Sequence, residues 1–169
     1  MSKEAQMSHD PELGILARRR IEAEIIKPIY EILKRDFGAG RAQAVIGEAV
    51  GQAAVAAGRE FAAQEPDGTS VESFVALQRL WEKDDALQVE VLASDHERYH
   101  YDVTRCRYAE MYQQMGLAEI GHLLSCNRDS EFIVGYAPQV KLERSSTIMS
   151  GKPRCDFRYA LKHDDGEPA

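Results

Sequence analysis

The feature that most narrows what this chain can fold into is a change of hydrophobic period near residue 87. Upstream, Leu13, Leu16, Ile21, Ile25, Ile29 and Leu33 recur at three- to five-residue spacing, the stripe of an amphipathic helix. Downstream, Leu87, Val89 and Val91 alternate with Gln88 and Glu90, the period of a half-buried strand. A chain that spends its helical segments first and its strands afterwards reads as α+β.

The finer reading follows from turn and cap residues. Asp10-Pro11 reads as a helix start, and that helix ends near Phe37-Gly38. Pro28 removes a donor inside it, so a kink or break is expected there. A second helix is expected over about residues 40–64. It is rich in Ala and carries Gly47, Gly51 and Gly58, each costing about 1 kcal/mol relative to Ala. Close backbone packing against a neighbouring element would offset that cost. A contact with a second copy in a homo-oligomer is the other explanation. Glu65-Pro66-Asp67-Gly68 reads as a turn, and Ser70 caps a third helix reaching Trp81 and Glu82.

Ser94 to Glu97 reads as the reversal after the first strand, with Tyr99, Tyr101 and Val103 alternating on its partner. Short helices are expected near 105–115 and 117–125, with a further turn or two opening at Asp129. Val140 to Met149 and Arg154 to Leu161 read as a second pair of strands around a turn at Ser150-Gly151-Lys152-Pro153. The expectation is therefore N-terminal helices followed by an antiparallel sheet of two hairpins, with short helices inserted between them. Residues 1–9 are expected to be disordered, 10–161 to form a single domain, and 162–169 to be an acidic tail.

Charge and composition exclude some functions. The net charge of -7 over 169 residues argues against nucleic acid, which needs clustered Lys and Arg. Arg18-Arg19-Arg20 is the densest basic run, but Glu22 and Glu24 follow at once, so it reads as a helix surface. No apolar stretch approaches the roughly 20 residues that span a bilayer, and Met1 to Asp10 lacks the apolar centre of a signal peptide. Three cysteines in this setting suggest free thiols in a reducing, cytoplasmic environment. A small molecule is the expected partner.

Several residues carry potential chemistry. Thr104 is a natural N-cap where strand gives way to helix, which would put Cys106 in the first helical turn between Arg105 and Arg107. Amide N–H groups, the helix dipole and flanking cations favour a thiolate there. A small buried hydrophobe at a helix start is the structural alternative. His122 and Cys126 are four residues apart on one expected helix, so an imidazole and a thiol share a face. His122 could serve as base or metal ligand, although such pairs also arise by chance. Asp129 could cap the next helical turn, position water or hold a cationic group. Cys155 shares the inward face of its strand with Phe157, Tyr159 and Leu161, a packing position. Arg144 shares a face with Val140 and Leu142, which is costly unless it meets a carboxylate. That partner would be a substrate carboxylate or an acid such as Glu22.

Read together, these stretches resemble the L-2-amino-thiazoline-4-carboxylic acid hydrolase family. The residues that carry the resemblance are Arg19-Arg20-Ile21-Glu22-Ala23 with Pro28-Ile29-Tyr30, and Thr104-Arg105-Cys106-Arg107-Tyr108-Ala109 with Tyr112 and Gly116. Cys126-Asn127-Arg128-Asp129, Leu142-Glu143-Arg144 with Thr147 and Gly151, and Cys155-Asp156-Phe157-Arg158-Tyr159 complete the ordered set. The resemblance implies hydrolysis at the amidine-like carbon of a small nitrogen-containing ring, giving an N-carbamoyl amino acid. It also implies that Cys106, Cys126 and Cys155 gather in space. On that reading Cys106 is the nucleophile, Cys126 its neighbour, Asp129 the proton carrier and His122 a reserve base. Arg144 holds the substrate, with Glu22, Tyr108 and Cys155 beside it. No cofactor is required, but zinc or another divalent metal held by the thiols, or by two of them with His122, is the alternative within the enzyme class. A distant kinship with vinyl-reductase-type domains suggests a different class, a non-catalytic sensor of a small ligand or metal.

Overall fold

The computed structural model describes residues 13–163. The expected helix start at Asp10-Pro11, the expected disorder of 1–9 and most of the acidic tail lie outside the described residues.

Helix α1 (Ile15–Phe37) runs unbroken through Pro28, so the expected break does not form. Pro28 and Glu24 lie on the exposed face, where water can take the carbonyl that the proline ring leaves unbonded. Gly38, with φ of 84°, alone separates α1 from α2 (Ala39–Ala62), and glycine adopts that backbone without a Cβ penalty. The buried row of α2 is Ala42, Ile46, Val50, Ala54 and Gly58, one residue per turn. That row lets α2 approach α6 (Asn127–Tyr136) closely. A Cβ on Gly58 would lie 2.3 Å from the Phe132 carbonyl oxygen, and one on Gly135 2.2 Å from that of Val55. The two helices therefore touch backbone to backbone. Gly47 and Gly51 face only side chains at 3.4 Å and 3.7 Å, so close approach explains Gly58 and not the other two.

Helix α3 (Val71–Leu77) opens with a capping box: Ser70 Oγ accepts from the Ser73 N–H at 3.0 Å and Ser73 Oγ from the Ser70 N–H at 2.9 Å. Helix α4 (Arg79–Glu82) and a 3-10 turn lead into β1 (Leu87–Ser94) and β2 (Arg98–Cys106). After α5 (Arg107–Gln114) a π-helical turn at His122–Cys126 runs straight into α6. Strands β3 (Val140–Glu143) and β4 (Cys155–Leu161) complete an antiparallel sheet of order β1-β2-β4-β3. The two expected hairpins are present, joined along β2 and β4.

Two expected boundaries move. β2 continues to Cys106, so helix α5 starts later than Thr104 would have it. β3 ends at Glu143 rather than Met149. The Asp156 carboxylate accepts the N–H groups of Ser145 at 2.9 Å and Ser146 at 2.6 Å, drawing the chain out of the ladder. Alternation persists in the sequence beyond that point, but its hydrogen bonds go elsewhere.

The core has two parts. One lies among α1, α2 and α5, around Ala23, Tyr30, Ile46 and Tyr112. The other lies between the inner sheet face and α3 and α6, where Tyr101 stacks on Phe157 at 4.8 Å and 9°. Trp81, Leu87 and Cys106 pack against both. No helix among the described residues is long and apolar enough to cross a membrane.

Candidate functional site

Where the two cores meet, they leave a cavity of about 350 Å³. Its floor is the aromatic inner face of the sheet, with Tyr101, Phe157 and Tyr159. Helix α2 supplies a wall of Ala53, Ala54 and Ala57, and α6 supplies Arg128, Asp129 and Phe132. Arg18, Arg19 and Glu22 enter from α1. Cys106, Cys126 and Cys155 all line this one space, so residues 49 positions apart in sequence do gather there.

The chemistry of those thiols differs from the expectation. Cys106 occupies the N-cap position of α5 with extended backbone, φ -128° and ψ 105°. Thr104 is exposed on β2, its hydroxyl reaching the Gln88 carbonyl at 3.5 Å. The flanking cations turn away. Arg105 donates to Glu110 at 2.9 Å and lies 3.6 Å from Asp85, and Arg107 donates to the Asp84 carbonyl. Burial pushes the Cys106 thiol up to about 11, although the amides of Ala109 and Tyr108 pull the other way. Burial, aided by the Asp129 charge, pushes Cys126 up to about 12. Cys155 is also raised by burial, and its sulfur accepts the Ile148 N–H at 3.2 Å. Burial thus favours the neutral form of all three thiols, against the thiolate expected at Cys106.

His122 is exposed and does not line the cavity. The π-helical turn that begins with it breaks the 3.6-residue period on which a shared face rests. Among the described residues no group of three or more His, Cys, Asp or Glu is placed to hold a metal ion. The three thiols and the two-thiol set with His122 therefore do not fit a zinc centre as they stand.

Asp129 is not a cap. The π-helical turn already supplies carbonyls to the start of α6, so the carboxylate is released for another partner. Its Oδ2 accepts from Arg144 Nη1 at 2.7 Å, and Arg144 Nη2 donates to the Cys126 carbonyl at 2.9 Å. The Arg144 guanidinium stacks over Phe157 at 4.9 Å. Arg144 thus meets a carboxylate as expected, but the carboxylate is Asp129, not Glu22. A fifth of the Asp129 side chain, 21%, is reachable by solvent, yet protein surrounds it and desolvation dominates. Burial raises its pKa above the ordinary carboxylate value, and the Arg144, Arg19 and Arg128 charges only partly offset that.

Glu22 belongs to a second cluster. It accepts from Arg19 Nη1 at 2.9 and 3.1 Å and from Arg128 Nη2 at 2.7 Å, while Arg128 Nε donates to the Leu124 carbonyl at 2.9 Å. Both arginine side chains are only 11% exposed. Burial, with the neighbouring Arg19 charge, pulls the Arg128 guanidinium down to about 10. Tyr108 lines the cavity and donates its hydroxyl to the Trp81 carbonyl at 3.0 Å. Burial raises its phenol pKa.

Arg19 and Arg128 were absent from the sequence-based site. Only Arg20 of the basic run is a plain surface residue; Arg18 and Arg19 are half-buried and reach the cavity. The signal was present, because Arg19 lies one turn from both Ile15 and Ala23, the buried stripe of α1.

Comparison with known proteins places this geometry in context. The phenol-responsive sensory domain of the transcription activator PoxR, solved with phenol, aligns with a TM-score of 0.50 at 14% identity over 89% of this chain and 82% of that one. A trafficking protein particle complex subunit 3 from Naegleria fowleri, covalently bound to palmitic acid, aligns with a TM-score of 0.48 at 13% identity over 86% and 96%. At such identities the first likeness speaks to fold alone. No curated protein matches the chain. The profile of the L-2-amino-thiazoline-4-carboxylic acid hydrolase family matches residues 18–159, which takes in every residue of the cavity wall named above, and the chain belongs to that family.

Proposed function

We propose that the chain hydrolyses a C–N or C–S ring bond of a small cyclic amidine or amide held in this cavity, with Asp129 carrying the proton. Family membership supports the hydrolase class. The observation that carries the role of Asp129 is its position: a desolvated carboxyl lining the cavity beside all three cysteines, with its pKa raised and its orientation fixed by Arg144. A carboxyl shifted toward neutrality can accept a proton from attacking water and return it to a leaving group. Water adds its hydroxyl to the ring carbon while Asp129 takes the proton. The tetrahedral centre then collapses and one ring bond to that carbon breaks. In a lactam or other cyclic amidine the bond is C–N, and the nitrogen leaves as an amine carrying the proton that Asp129 releases. In a 2-aminothiazoline it is C–S: the sulfur leaves as the thiol with that proton, and the product is the N-carbamoyl amino acid. Arg144 positions Asp129 and screens its charge when ionised. The thiols form a neutral wall, and Cys106 is not assigned the attack.

The test is a ring-opening screen of 2-aminothiazolines, other cyclic amidines and small lactams, run on the purified protein and on Asp129→Asn. The proposal expects at least one ring to be opened by the native chain and not by the variant. No ring opened would remove the hydrolase reading, and an unchanged rate in the variant would remove Asp129. A second reading, retention of a small ligand without turnover, is favoured by the absence of an ionised thiol in an aromatic-floored cavity. Saturable binding with no product across the screen would select it.

A further inference from the structure

The cavity has more room, and a more divided lining, than a lone five-membered ring requires. A space of about 150 Å³ already accommodates benzene, whereas this one is about 350 Å³. Its two ends differ in chemistry. At one end Phe132 meets Trp81 edge-on at 5.2 Å and 72°, and Phe61 at 5.7 Å and 66°. The α2 residues that line the cavity are mostly small, Ala53, Ala54, Ala56 and Ala57, followed by Glu60 and Phe61, so much of the alcove beside those aromatic edges is walled by methyl groups. A planar ring is the complement of such a slot.

At the other end the charges do not balance. Arg144 and Asp129 match one to one, but Arg19 and Arg128 share the single carboxylate of Glu22. Two nearly buried guanidiniums on one carboxylate are a poor arrangement until an anion joins them.

Resting on the hydrolase reading of the same site, we propose that its substrate is an anion with a planar aromatic group: the ring fills the alcove between Trp81, Phe132 and Ala57, and a carboxylate completes the Arg19–Glu22–Arg128 cluster. Asp129 and Arg144 then face the bond between the two ends. The anchor for the substrate's charge is thus the α1–α6 cluster, not Arg144.

Trp81 is the only tryptophan in the chain and lines the alcove, so its emission reports occupancy directly. The full-length chain is titrated with 3-phenylpropanoate, with neutral 3-phenylpropanamide and with acetate. The proposal expects a saturable change with the acid, at a Kd at least about tenfold lower than for the amide or acetate, as charge-assisted hydrogen bonds would give. Arg19→Gln is expected to erase the preference for acid over amide, and Ala57→Phe to weaken both aromatic probes about tenfold while leaving acetate unchanged. Equal affinity for acid and amide, or for phenylpropanoate and acetate, overturns the proposal. Should either variant fail to fold, the three-probe comparison on the native chain decides alone. If the probes bind without selectivity but a ring is still opened, only this inference falls. If they bind selectively and no ring is opened, only the hydrolase reading falls.

Discussion

Two aspartates of this chain each hold arginines, and they end in opposite electrostatic states. Asp102 sits on the outer sheet face, only 6% exposed, and accepts from Arg154 Nη1 and Arg158 Nη2, both at 2.9 Å. Those two hydrogen bonds lower its pKa. Asp129 faces the cavity with a single ion-pair partner, Arg144, and burial raises its pKa. The residue type is the same and both have cationic neighbours. The difference lies in how many donors reach the carboxylate and in what covers it. The Asp102 carboxylate is covered largely by its own two arginines near the surface, whereas protein surrounds Asp129. Asp102 is a fastener across β2 and β4; Asp129 is a group whose proton can move.

The largest effect that sharpens this contrast is kinetic. Asp129→Asn should lower the rate of ring opening by at least about a hundredfold, the usual worth of a positioned acid or base, whereas Asp102→Asn should leave kcat near the native value. Steady-state assays of both variants on whichever ring the screen identifies check this, and equal losses would erase the distinction.

Next come the arginines. Arg144→Gln leaves a desolvated carboxyl without its cation and should cost about 3 kcal/mol in urea unfolding. Arg154→Gln, at a side chain 55% exposed, should cost less than about 1 kcal/mol because Arg158 still holds Asp102. Similar costs for the two would mean that the cavity pair is as well hydrated as the surface one.

The pH dependence separates the aspartates by sign. Asp102 has a lowered folded pKa, so its contribution is present above the ordinary carboxylate value near 4 and is lost as pH falls through the folded value. Asp129 has a raised one; its contribution is full below about 4 and is lost as pH rises through the folded value. Urea midpoints measured from pH 3 to 7 should therefore show the deficit of Asp102→Asn shrinking on acidification and that of Asp129→Asn shrinking on alkalinisation. Slopes of one sign would break the comparison.

The smallest effect concerns the thiols, which share the desolvated space with Asp129. Cys106→Ser should change turnover by less than about tenfold, because a thiol raised to about 11 is almost wholly protonated at neutral pH. Iodoacetamide at pH 7.5 should modify Cys106, followed by mass spectrometry of its peptide, at least about tenfold more slowly than free cysteine. Rapid alkylation would restore the nucleophile reading.

The same physics explains what was legible from sequence. Period and caps located α1, α2, the two hairpins and the cap at Ser70, because those signals are local. The helix expected over 117–125 is instead a turn and a π-helical turn, and the turn or two expected from Asp129 is the ten-residue α6. Long-range competition was not legible. Nothing near Arg144 reveals that β3 stops before it, since the cause is the Asp156 carboxylate eleven residues from Ser145. Cys106 looks cationic in sequence because Arg105 and Arg107 flank it, but Glu110 and the Asp84 carbonyl claim those arginines. The gathering of Cys106, Cys126 and Cys155 around one cavity was expected only through the family resemblance. Arg19 is masked in sequence because Glu22 and Glu24 cancel its charge along the chain, while its place one turn from Ile15 and Ala23 on the buried stripe of α1 is the signal that marks it.

The contrast between the two carboxylates can be read in one sample by following the side-chain carboxyl carbons of Asp102 and Asp129 by NMR through a pH titration. The account predicts that Asp129 titrates above the ordinary aspartate range and Asp102 below it. Asp129 titrating together with Asp102, or beneath it, would contradict the assignment of a mobile proton to the cavity.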